Sequence, residues 1–142
     1  MGLMFYPRGG SAQVARYLSR ALVESGWEVV LASGSLGSLG EQTNAATFFE
    51  GLHVEAADYT PALERFGRGE DQLVGPVPFH GSFEDREGAP DPVFAALGPE
   101  QAKAQVSAWA GVFERAGFGR VDVIHLHHLT PMHEAAARLW PD

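Results

Sequence analysis

The sequence predicts an α/β domain: a doubly wound, Rossmann-like, mostly parallel sheet with helices on both faces. Three observations carry that prediction. Short apolar runs such as WEVVLA (27–32) and VDVIHL (121–126) lack the polar alternation of a half-exposed sheet and have the pattern of strands buried on both faces. Other segments repeat apolar residues at helical spacing and stop at a glycine. Strand-like and helix-like segments alternate along the chain, the order that builds a parallel sheet through crossover connections.

The elements follow in sequence. Residues 2–6 (GLMFY) form an apolar run ended by Pro7, so they predict a first strand, and Arg8-Gly9-Gly10 supplies a tight turn. Ser11 is the expected N-cap of a helix carrying Val14, Leu18, Ala21 and Leu22 on one stripe, with Gly26 as its left-handed terminator. Trp27–Ala32 is the second strand and Leu52–Ala57 a weaker third. The linkers Ser33–Thr47 and Asp58–Pro92 are long enough to be functional or to hide an element. Pro99 opens a helix to Ala116, with Ala102, Val106, Trp109, Ala110 and Phe113 on one face and Gly117 as the stop. Val121–Leu126 is expected to be a buried fourth strand, Thr130 an N-cap, Pro131 the first helical position and Glu134–Leu139 the start of a last helix. No internal boundary divides 1–142, so a single domain is expected.

Composition narrows the function classes. A chain of 142 residues is long enough for one core that buries roughly 68–70% of its unfolded surface. Eighteen acidic against ten basic residues give a net charge of −8, and no basic patch offsets it, which argues against nucleic acid and anionic lipid as partners. Cysteine is absent, so disulfides and thiolate metal sites are excluded. No apolar stretch reaches the roughly 20 residues of a membrane span, and no basic leader with a cleavage site precedes the first strand, so a cytoplasmic location is expected.

In the common strand order 3-2-1-4 the first and fourth strands are neighbours, and their carboxyl ends flank the switch point where such sheets bind ligands. The turn at Pro7–Ser11 and the histidines near His127 are therefore expected to face each other. Gly9 and Gly10 allow close backbone approach, the following helix offers unpaired N–H groups, and Arg8 adds a charge, together a site for phosphate or another polar group. The alternative is a turn that needs glycine only for its backbone angles. A dinucleotide fingerprint is missing, because the loop reads GGSAQ and the second strand ends without an acid. GSLGSLGEQT lacks the Lys-Ser/Thr of a phosphate-binding P-loop.

Four histidines fall in HLHHLTPMH (125–133). His125 is expected as a core imidazole satisfied by hydrogen bonds. His127 sits where the strand leaves the sheet and is suited to orient a hydroxyl or accept its proton; a structural role is the alternative. His128 is expected in solvent, and His133 on the surface of the last helix. Zinc ligation by H-x-H-H lacks a carboxylate partner, since Leu129 and Thr130 stand where a dinuclear hydrolase needs Asp and His and no carboxylate follows until Glu134, so no metal site is expected. The acidic run Glu84-Asp85-Arg86-Glu87 reads as a solvated turn rather than a cation site.

Taken together, FYPRGGSAQVARYLSRALVESGWEVVLAS and VDVIHLHH resemble the amino-terminal domain of GT-B-fold retaining glycosyltransferases of family four. The likeness covers about forty residues at the two ends; where that family usually has His, this chain has Trp27. The resemblance implies transfer of a sugar from a nucleotide-sugar donor to an acceptor with retained configuration, without metal or other cofactor. It implies that Arg8, Gly9, Gly10 and Ser11 lie near the donor phosphate and the acceptor, and that His127 contacts the transferred sugar. The carboxyl-terminal nucleotide-sugar domain of that family, with its paired glutamates, is not within these residues, so 1–142 is expected to be a truncated, acceptor-side domain, inactive alone. The alternatives are a non-catalytic Rossmann-like module for a small anion or a partner protein, and a fragment of a GT-B-fold sugar-nucleotide epimerase.

Overall fold

A computed structural model of the chain describes residues 1–140; Pro141 and Asp142 lie outside the described residues. The elements run β1 (Gly2–Leu3), α1 (Gly9–Glu24), β2 (Val30–Ser35), α2 (Ala45–Phe48), β3 (His53–Asp58), α3 (Thr60–Gly67), α4 (Pro99–Arg115), β4 (Leu126–His127) and α5 (Pro131–Leu139). The four strands form one all-parallel, Rossmann-like sheet in the order β3-β2-β1-β4, the expected 3-2-1-4.

Neighbouring residues of each strand enter two different apolar clusters, so the sheet separates them. Leu3 and Leu31 pack with Ala12 and Ala15 of α1 and with Phe48 and Phe49 at α2. Ala32 and Ala57 pack with Trp109 and Phe113 of α4, Phe118, and Met132 and Ala135 of α5. Small residues set the spacing. A Cβ on Gly2 would meet Leu126 Cδ2 at 2.7 Å, and one on Gly34 would meet the Met4 carbonyl and, at 2.6 Å, the Tyr59 ring. Tyr59 crosses that gap to donate from its hydroxyl to the Met4 carbonyl at 2.8 Å, which satisfies a phenol buried on all sides.

Several local expectations hold. Helix α1 ends at Gly26 with φ +90, where the Gly26 N–H bonds Val23 O and the Trp27 N–H bonds Leu22 O, both at 3.0 Å, the paired closure that a left-handed glycine makes possible. Gly117 (φ +70) stops α4, and Thr130 and Pro131 open α5. The linker 58–92 hides α3, and 33–47 contains the end of β2 and the start of α2.

Four expectations are corrected. The first helix starts at Gly9 rather than after Ser11, because Gly9 takes φ +65 and turns the chain directly from extended Arg8 into the helix. The first strand contributes only Gly2 and Leu3 to the ladder; Met4 is buried beyond it. The second strand is shifted to Val30–Ser35, since Trp27 closes α1 and the small residues Ser33-Gly34-Ser35 are the ones that fit beneath Tyr59 and β1. Val121–Leu126 is not a buried strand: pairing begins at Leu126, and Val121 and Val123 are 39% and 63% exposed.

Candidate functional site

At the carboxyl end of β1 the chain runs Phe5-Tyr6-Pro7-Arg8 into the glycine turn. Arg8 is extended (φ −159, ψ 142), caps no N–H with its side chain, and is followed by no acid in the first turn of α1. The opening N–H groups of α1 therefore keep their partial positive charge free of an internal carboxylate or side-chain cap. The Arg8 guanidinium instead reaches away from the helix, donating to Tyr6 Oη at 2.9 Å and to Asp91 Oδ2 at 2.8 Å, and lies 4.7 Å from the Tyr6 ring centre.

Asp91 is the hub of this end. Its side chain is 1% exposed and its Oδ2 also receives Arg86, so one buried carboxylate ties the glycine turn to the long 81–92 loop. Burial favours the neutral acid, yet the hydrogen bond and charge of Arg8 outweigh it and hold the carboxyl below its ordinary range. Beside it, His80 is fully buried among Phe5, Tyr6, Tyr59 and Phe79. Its Nδ1 lies 2.8 Å from the Gly81 carbonyl, so Nδ1 carries the proton and Nε2, without a partner in the protein, is an acceptor. Desolvation lowers this imidazole to about 4, which keeps it neutral at pH 7.

Above this network opens a pocket of about 280 Å³, lined by Arg8, Gly9, Gly10 and Ser11 of the turn, by Ser82, Phe83, Glu84 and Arg86 of the long loop, and by Phe5 and His128. The turn after β1 and the segment after β4 thus share one wall. His128 takes φ +62, a left-handed backbone costly for a side chain with a Cβ, and its ring meets Phe5 at 5.6 Å and Phe83 at 6.0 Å.

The other histidines are placed as follows. His127 is half-buried next to the pocket, not in its lining; its ring stacks on His125 at 4.7 Å and its Nε2 is buried without a partner. Desolvation first, then the neighbouring imidazoles, lowers its pKa. His125 is not a core imidazole: it is exposed, because the chain before β4 does not enter the sheet. His133 is exposed, and its Nδ1 accepts the Thr130 N–H at 3.4 Å. Among the described residues no group of three or more His, Asp or Glu side chains is arranged to hold a metal ion, and no helix is long and apolar enough to cross a membrane.

Sequence reasoning found the turn and the histidine segment but missed Asp91, Arg86, His80 and Phe83. Glu84–Glu87 is exposed as expected, yet Arg86 within it is paired rather than merely solvated. The length of the 58–92 linker was the one signal that pointed there. Compared with known proteins, the chain matches no protein-family model, no curated protein and no solved structure.

Proposed function

We propose that the chain is the acceptor-side, amino-terminal domain of a GT-B-fold retaining glycosyltransferase, which moves a sugar from a nucleotide-sugar donor to an acceptor once paired with a carboxyl-terminal nucleotide-sugar domain. One observation carries the reading: the pocket at the carboxyl ends of β1 and β4 is lined jointly by Arg8–Ser11 and by a histidine more than a hundred residues away. Free N–H groups at Gly9, Gly10 and Ser11 suit an anionic oxygen of a departing diphosphate, and Arg8, whose guanidinium is already shared with Asp91, lines the same pocket. A neutral imidazole suits a sugar hydroxyl. The resemblance assigns that contact to His127, whereas His128 is the ring in the pocket lining, so the two are separate positions to test.

The test is titration of the 142-residue chain with inorganic diphosphate, followed by backbone amide NMR. Gly9, Gly10 and Ser11 should shift, and Arg8→Ala should weaken binding about tenfold, the loss of one charge-assisted contact. Unmoved amides in the glycine turn would remove the proposal. In a protein that also carries the second domain, His127→Ala and His128→Ala measured side by side identify the imidazole that serves transfer. Binding without any transfer in that two-domain protein favours the other reading, a non-catalytic small-anion module, for which the two arginines beside the pocket are the supporting feature.

A further inference from the structure

Two unlike walls face each other in the pocket at the carboxyl end of the sheet. The turn at Arg8–Ser11 supplies N–H donors, whereas the segment 82–86 brings the Ser82 hydroxyl, the Phe83 ring, the Glu84 carboxylate and the Arg86 guanidinium. We infer that the 82–86 wall is a subsite for an uncharged acceptor sugar, a single pyranoside ring whose C–H face lies on Phe83 and whose rim hydroxyls are held by Glu84 and Arg86. That the sugar is the acceptor of transfer rests on the function proposed above, whereas its seat on Phe83 does not.

Phe83 is 57% exposed, yet its orientation is fixed. Its ring meets Phe94 at 5.0 Å, Phe5 at 6.1 Å and His128 at 6.0 Å. The backbone beneath it is equally constrained, because the Ser82 N–H donates to Pro92 O at 2.8 Å, the Phe94 N–H to Ser82 O at 2.9 Å, and the Glu84 N–H to Ser82 Oγ at 3.3 Å. Gly81 admits the supporting ring: a Cβ there would meet Phe94 Cδ1 at 2.5 Å. On the other side His128 reaches Phe83 through its left-handed backbone. The wall is therefore formed before any ligand arrives, which lowers the entropic cost of holding a weak one.

Charge selects the class of ligand. Arg8 and Arg86 are matched by Asp91 and Glu84, so the formal charges of these four side chains cancel. An anion on the 82–86 wall would face Glu84; a hydroxyl there donates to it in a charge-assisted hydrogen bond. Arg86 gives one nitrogen to Asp91 and keeps other N–H groups for sugar oxygens. An acyl chain would use Phe83 and leave Glu84 and Arg86 unmatched. A pyranose matches all three, with C–H bonds on one face and hydroxyls at its edge. At about 280 Å³ the pocket lies just under the roughly 300 Å³ at which sites for drug-sized ligands begin, which is room for one ring.

The experiment titrates the 142-residue chain with methyl glucoside, galactoside and mannoside, each to about 50 mM because a single ring is expected to bind with millimolar Kd, and follows backbone amide and aromatic NMR signals. At least one glycoside should shift the Phe83 ring and the 82–86 amides saturably. Phe83→Leu and Glu84→Gln, both at exposed positions that leave the fold intact, should weaken that response by about tenfold and about fivefold, and Phe83→Tyr should restore it. No response at Phe83 to any of the three sugars overturns the inference, as does a response unchanged by Phe83→Leu. Tighter binding of methyl glucuronide than of the neutral glycosides overturns the charge argument, and tighter binding of adenosine gives Phe83 to a nucleobase instead. Inorganic diphosphate is the separate arm: amides of Gly9–Ser11 that move with diphosphate while Phe83 ignores sugars leave the transfer proposal standing and remove this subsite. The converse result keeps the sugar seat and removes the donor side.

Discussion

The two ends of the sheet solve opposite problems. At the carboxyl end, strands stop beneath a polar, cross-linked layer in which Asp91 binds two arginines and His80 sits in an aromatic shell. At the amino end an open cleft has no buried carboxylate hub: apolar side chains are mixed there with Glu28, Arg115, Arg120 and Asp122, and the Met1 amine donates to Val30 O. The difference teaches where stability is stored in this domain. It lies where long-range contacts converge on β1 and the 81–92 loop, not where the sheet pattern in the sequence is most apolar.

Four measurements test that contrast. The largest effect is expected at Gly34→Val: the new side chain would strike the Met4 carbonyl and the Tyr59 ring, neither able to move freely, so urea unfolding should reveal a loss of about 3 kcal/mol or more. A loss under about 1 kcal/mol would mean that β1 and Tyr59 are not packed as described.

Next comes pH. His80 is held near pKa 4 when folded, against about 6.5 when unfolded, so the unfolded chain takes up its proton first as pH falls. Its contribution is complete above pH 6.5 and is lost between 6.5 and 4, the loss reaching about 3 kcal/mol by the lower end. His80→Phe should flatten the unfolding free energy across that window. An unchanged slope would assign the pH dependence to other groups, among them the Met1 amine, whose own decline runs from pH 8 to about 6.

Asp91→Ala removes the hub and leaves both guanidiniums, which are partly exposed and can turn to water, so the cost should be about 1–2 kcal/mol rather than that of a fully buried pair. Protease nicking within 81–92 should become faster, and no change in nicking would show that the loop is held by something else. The smallest effect is expected at Val123→Thr, within about 0.5 kcal/mol, because this valine is already in water. A loss above 1 kcal/mol would place Val123 in a core and erase the contrast.

Periodicity and punctuation made much of this molecule legible in advance. Gly26, Gly117 and Pro131 mark helix ends because their backbones permit or forbid particular torsions, a local property independent of neighbours. The strand order is the common one of doubly wound sheets, as expected from the alternation of those elements, and with it comes the meeting of Arg8–Ser11 with the segment after β4. Which histidine would face the pocket was not legible, since His128 enters it only through a left-handed backbone that no spacing rule foresees.

The α/β class, the helix terminators and the glycine turn can be read from the residues alone, because each rests on torsional preference or on the hydrophobic period within one short segment. Only the tertiary structure decided that Val121–His125 lies outside the sheet, that Asp91 is the buried partner of Arg8, and that His80 is sealed beside them. Those outcomes depend on what covers a residue and on which distant charge reaches it. Such contacts arise from the packing of distant segments, 83 residues apart for Arg8 and Asp91, and no local pattern encodes them.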